Sequence, residues 1–183
     1  MRGKEEERMQ EATKSFANGS ESKNVIFRPM RRKKQALSEE ESRELLRTEK
    51  RAALAVQGEY GYPYVVPIDF YYEPSEQSIY FHSSREGHKI ESLCRSNKVC
   101  CSVWDAGSTK DGDWALYVKS VVVFGRAEFV LDEDLREEKI RRLARKYYPS
   151  EEEVEREIAR DLHRAQVVRI VIEHMSGKRV HEK

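Results

Sequence analysis

The run Tyr80-Phe81-His82-Ser83-Ser84-Arg85-Glu86-Gly87-His88-Lys89 holds the densest chemistry in this sequence. An apolar stretch ends in two hydroxyls, a glycine loosens the chain, and Ile90 and Leu93 follow at helical spacing. The free N–H groups of a helix start, with Ser83, Ser84 and Lys89 around them, suit a phosphate-sized anion. Ser and Gly ahead of a helix are also ordinary capping residues, so both readings stay open. His82 ends the apolar stretch beside this loop. It reads as a ligand contact and candidate proton donor, or equally as a hydrogen-bonded edge histidine. His163, His174 and His181 lack partners at metal-ligand spacing, and Cys94, Cys100 and Cys101 lack the second pair that zinc requires, so no metal is expected. Adjacent Cys100 and Cys101 point to opposite faces of a strand and cannot easily chelate together. Hydrolase elbow, Walker and dinucleotide motifs are all missing.

The elements that must position this loop follow from periodicity and turn chemistry. Ser38 and Glu41 form a capping box, so residues 38–49 read as a short helix. Residues 51–56 read as a strand that ends at Gly58, and Pro63 to Tyr72 as a second, rich in β-branched and aromatic residues. Pro67 inside that strand marks an edge, a bulge or a backbone that faces a ligand. Ser78 to His82 forms a third strand, His88 to Ser96 a helix, Lys98 to Trp104 a fourth strand, and Trp114 to Leu131 a long β region bent near Gly125. Two charged helices follow Asp132, separated by Pro149 and capped again by Ser150. Gln166 to Met175 is a last strand closed by Ser176 and Gly177. Hairpin-like turns favour antiparallel pairing. The fold class is α+β: a mainly antiparallel, closed or half-open barrel with flanking helices.

The chain has 183 residues, with 34 Lys plus Arg against 33 Asp plus Glu, a net charge of +1. That length excludes a large multidomain enzyme, and near-neutrality argues against broad nucleic-acid binding. No stretch approaches the ~20 apolar residues of a membrane span. The charged N-terminus does not read as a signal peptide, so reduced cysteines and a cytoplasmic location are expected. Charged residues make up 37% of the chain and hydrophobic ones 38%. The charge gathers in residues 1–30, in the run Arg31-Arg32-Lys33-Lys34 and between Asp132 and Arg164; the strands are far more apolar. Residues 1–30 therefore read as a flexible charged tail, or a short helix that orders only on contact, and residues 31–183 as one domain.

The order of motifs resembles the FMN-binding split β-barrel family, typified by the pyridoxamine 5'-phosphate oxidases, and is most similar to its nitroimidazole-resistance (Nim-type) flavoproteins. The residues that carry the likeness are Arg51-Ala52-Ala53-Leu54-Ala55, Gly61-Tyr62-Pro63-Tyr64-Val65-Val66-Pro67, Ile79-Tyr80-Phe81-His82-Ser83 and Glu86-Gly87-His88-Lys89-Ile90. Ser120-Val121-Val122-Val123-Phe124-Gly125 and Ile172-Glu173-His174-Met175-Ser176-Gly177 continue it. The resemblance implies a homodimer with FMN between the subunits, and an FMN-dependent, nitroreductase-like oxidoreductase with a nicotinamide donor. It implies that Tyr64, Val65, Val66, Pro67 and Ile68 lie along the isoalloxazine ring. His82, Ser83 and Ser84 would sit near the ribityl chain and phosphate, Lys89 would neutralise the phosphate, and Arg85 and His88 would assist. Ser120 and Val121 would line the far side. Trp104 and Trp114 would stack on the flavin from the partner chain or pack in the core. The oxidases' C-terminal Trp and Arg have no match in Ser176-Gly177-Lys178-Arg179, which argues against pyridoxamine phosphate oxidation. A flavin carrier without catalysis, a haem-binding relative ligated by His82 or His174, and a deazaflavin protein are the alternatives on the same barrel.

Overall fold

Alternation builds the barrel. Ala52, Leu54 and Val56 of β1 (Arg51–Gln57), Val99, Cys101 and Val103 of β4 (Lys98–Trp104) and Val121 and Val123 of β5 (Tyr117–Val130) are all buried, and the residues between them face outward. The computed structural model describes residues 2–18, 25–112 and 114–181. With β2 (Pro63–Glu73), β3 (Ser78–Ser83) and β6 (Gln166–His181), the strands close in the order β1-β2-β3-β6-β5-β4, every pair antiparallel. The expected α+β barrel with flanking helices is the observed fold.

The helices are α1 (Arg2–Asn18), α2 (Glu39–Thr48), α3 (His88–Arg95), α4 (Glu133–Tyr147) and α5 (Glu151–Asp161). The capping box at α2 is present in both directions: Glu41 N–H donates to Ser38 Oγ at 3.1 Å, and Ser38 N–H to Glu41 Oε2 at 2.9 Å. Residues 2–18, which the sequence allowed to be a tail or a contact-ordered helix, form α1, with Met9 and Ala12 buried in the main core beside α3 and β5. Lys139 of α4 is almost fully buried and pairs with Glu76, and Arg142 pairs with Glu73. Charges on α4 thus pin it to the β2–β3 hairpin, where Tyr71 and Tyr80 stack at 5.2 Å.

Two strand limits differ from the sequence reading. The last strand does not stop at Met175 but runs to His181, because β5 pairs with it along its whole length and Leu37 N–H donates to Gly177 O at 3.0 Å. Tertiary pairing overrides the Ser-Gly stop signal. β5 begins at Tyr117 and not Trp114, which stands exposed in the preceding loop.

The barrel is split between β2 and β3. β2 pairs with β1 from Pro63 to Asp69, but with β3 only from Phe70 to Glu73. β3 continues to His82 and Ser83 against β6, leaving β2 behind. Phe70 marks the parting: its N–H donates to Tyr147 Oη at 2.7 Å, and Tyr147 Oη–H donates to its carbonyl at 2.9 Å. That hydroxyl also reaches the Lys50 carbonyl, on the β1 side. Backbone direction alternates along a strand, so Asp69, Pro67, Val65 and Pro63 turn their backbone groups the other way, toward the split. Both prolines therefore sit where a missing N–H breaks no ladder bond, which is the edge reading of Pro67.

Gly125 stands at the one slip of the β5–β6 register, between Phe124 and Gly125. A Cβ there would collide with the Val171 carbonyl and come within 2.8 Å of Ile170 Cγ2. Gly125→Ala should destabilise the fold by about 1–3 kcal/mol through overpacking, read as a lowered melting temperature with an unchanged far-UV spectrum; an unaltered melt would contradict this packing.

Candidate functional site

The split opens a groove of about 630 Å³. One wall is β2, through Tyr64, Pro67, Ile68 and Asp69. The other is the end of β3 and the start of α3, through His82, Ser83, Ser84, Glu86, Gly87, His88 and Lys89, with Arg51 at the rim. Gly87, with φ at +105°, makes the turn from β3 into α3, a conformation that side chains resist. It caps the helix without a side-chain hydrogen bond, so the first-turn N–H groups face the groove unclaimed by a cap. Ser84 Oγ donates to the Glu86 carbonyl at 2.6 Å and shapes the loop. His88 stacks on Tyr64 at 4.0 Å and closes the groove's end. Lys89 is half-buried over the Phe81 ring, 5.3 Å from its centroid, and burial lowers its pKa.

His82 shows part of its ring to solvent, yet the walls crowd it enough that burial lowers its pKa. The nearby Lys89 charge lowers it further, while Asp69 and Asp161 pull it back up by less. His82 is therefore neutral near pH 7, able to accept a proton or donate one.

Of the residues singled out from sequence, Tyr64, Pro67, Ile68, His82, Ser83, Ser84, His88 and Lys89 converge on this groove. Val65 is exposed on the outer barrel face, and Val66 packs against the core. Arg85 turns away. Its guanidinium bonds Glu6 of α1 at 2.8 Å, its Nε is buried without a hydrogen-bond partner, and it lines an adjoining chamber of about 610 Å³ with Glu5, Asp161 and Arg164. Ser120 and Val121 lie on β5, opposite Trp104 and Val103, and Val121 is fully buried in the core, so neither lines the groove within one chain. Trp104 and Trp114 are exposed, which excludes core packing within the chain. Sequence reasoning missed Arg51 and Asp69, which face each other in register and pair at 3.4 Å. Period-two counting from Pro67 would have found Asp69. Among the described residues no three His, Cys, Asp or Glu side chains converge as a metal site.

The donor set fits a phosphorylated planar cofactor. A helix start, two serines and a lysine stand at one end for an anion, and an open strand edge runs alongside for a ring's polar atoms. An antiparallel barrel split beside such a helix start defines a ligand-binding split barrel. The sequence matches the pyridoxamine 5'-phosphate oxidase family over residues 38–179, and the chain belongs to that family. The fold is similar to that of a proposed 5-nitroimidazole antibiotic resistance protein from Bacteroides thetaiotaomicron (22% identity, 80% of this chain and 87% of that one, TM-score 0.68). It is similar also to a FAD-binding protein from Mesorhizobium loti (25%, 80% and 97%, TM-score 0.59). A third similar structure is the flavocytochrome Anf3 from Azotobacter vinelandii (24%, 86% and 73%, TM-score 0.67). No curated protein matches the sequence. The α1 helix lies outside the matched span.

In an NMR titration His82 should protonate below the ordinary histidine value of about 6.5. Lys89→Met should raise the midpoint only part of the way back, because burial is the larger cause. A midpoint above the ordinary value would contradict the crowding described.

Proposed function

We propose that the chain is a flavoprotein that holds FMN in this groove and serves as an oxidoreductase toward a small molecule, with a nicotinamide nucleotide as electron donor. The observation that carries the reading is the joining of an anion-accepting helix start to an unpaired strand edge in one groove. Ser83, Ser84, Lys89 and the α3 amides would take the phosphate, with His88 beside them. The outward amide of Val65 and the neighbouring carbonyls would meet the polar edge of the ring. The flavin would supply the electron chemistry; the protein supplies binding, orientation and exclusion of water. Neutral His82, at the groove wall, would exchange a proton with whatever is bound beside it. Family membership and the similar FAD-binding protein support a flavin.

A homodimer completes the site in this reading. Pro67, Ala53, Ser102 and Val122 form one row across β2, β1, β4 and β5, and Val65, Ala55, Cys100 and Phe124 form the next. All eight alternate with buried or partly buried neighbours and so face outward, and none is charged in a chain that is 37% charged. Such a face suits a second copy. It adjoins the groove through Pro67, and the exposed Trp104 borders it at the end of β4, where the far wall for a flavin would come from the partner.

A second reading, FAD, is favoured by the adjoining chamber. It shares His82, Ser83, Ser84 and Glu86 with the groove and adds room for a longer nucleotide, with Arg85 as a cation for it once Glu6 releases that side chain.

Lys89→Ala should weaken FMN binding about 10- to 100-fold, the loss of one charge-assisted contact, and leave riboflavin affinity nearly unchanged, both read by flavin fluorescence quenching. An equal loss for both ligands, or none, would place the phosphate elsewhere. FAD binding tighter than FMN would select the second reading. Val122→Glu should shift the protein from dimer to monomer in sedimentation; a dimer that survives it would move the interface off this face.

A further inference from the structure

The groove does not end at His82. Past His82 and Asp69 it meets a smaller cavity of about 150 Å³ set between α4 and α5. Leu143, Ala144, Ile158 and Leu162 form its aliphatic wall, and Tyr147 and Tyr148 its aromatic one. Leu143, Ala144 and Ile158 are buried, and the two helices meet through Ala144, Val154 and Ile158. Space remains because the α4 contact residue is an alanine. The Tyr147 hydroxyl is committed to Phe70 and Lys50 and so presents mainly its ring. An apolar cavity of ~150 Å³ accepts a single six-membered ring.

The charges at this cavity have one sign. Asp69, Glu157 and Asp161 line it, and no Lys or Arg does. Arg51, Arg160 and Arg164 pair with those carboxylates from outside the cavity lining, Arg51 from the groove and Arg164 from the adjoining chamber. The groove next door is lined by both signs, Lys89 and Arg51 with Asp69 and Glu86, and has the helix start at one end. One continuous depression therefore has Lys89 and a helix start at one end and no lining cation at the other, with His82 lining both.

We propose that the α4–α5 cavity is a subsite for a single-ring molecule, uncharged or cationic, whose polar edge points to His82 and Asp69. As the seat of the second substrate it rests on the flavin reading above; as a ring-binding site it does not. The ring is selected by volume and apolar walls, and a carboxylate-bearing analogue would lose its hydration there with no lining cation to pair with.

The test uses the full chain without added flavin, followed by saturation-transfer NMR with benzylamine, benzyl alcohol and benzoate. Benzylamine and benzyl alcohol should bind saturably, and benzoate at least about tenfold more weakly. Ala144→Met, which fills the cavity, should abolish ring binding and leave FMN affinity within about twofold. If that variant melts early, Leu162→Phe on the same wall carries the test. Failure of benzyl alcohol or benzylamine to bind, equal binding of benzoate, or ring binding that survives both filling variants would overturn the proposal. Ring binding in a chain that takes up no flavin would sink the flavin reading and leave this one standing.

Discussion

Everything functional in this structure depends on β3 leaving β2 after the Phe70–Phe81 pair and following β6 instead. A barrel that stayed zipped would pair the backbone of Val65 and Asp69 and bury the loop after Ser83. The parting is held from both sides. Tyr147 takes the Phe70 backbone groups on the β1 side, and the β3–β6 pairing carries His82 and Ser83 away. The two prolines on the freed edge remove donors that would otherwise invite a strand to re-pair there. The groove and its access to the helix start are consequences of that one unpaired stretch.

Charge serves the fold in two ways. On α4, Lys139 and Arg142 reach the β2–β3 hairpin through Glu76 and Glu73, so part of the helix's charge is a fastening and not a solvated face. The fastening matters for the site because the same helix delivers Tyr147 to the split. On α1, Glu6 holds Arg85 against the back of the loop. The net charge of +1 conceals this arrangement, in which the charges act through particular pairs.

Much of this was legible in the sequence. Strand and helix identities followed from alternation, caps and turn residues, and the loop from Ser83 to Lys89 from its donors. Pro67 announced an edge. What the sequence did not reveal depends on long-range pairing. The β6 strand outran its Ser-Gly signal because β5 was there to receive it. The direction of Arg85 was decided by a helix about eighty residues away in sequence, read only as a tail or a contact-ordered helix. Asp69 joined the site through register with Arg51, which periodicity alone does not rank above other charged pairs. The cavity between α4 and α5 arises from one small residue at a helix contact, invisible until the two helices are placed.

The proposed function rests on the open edge of β2 and the start of α3 holding a flavin together. Its most direct test is the visible spectrum of the full chain, saturated with flavin and passed through gel filtration, with flavin and protein quantified in the same fraction. One flavin per chain should elute with the protein and show two visible bands altered from those of free flavin. A colourless protein fraction, with all the flavin in the small-molecule volume, would contradict it.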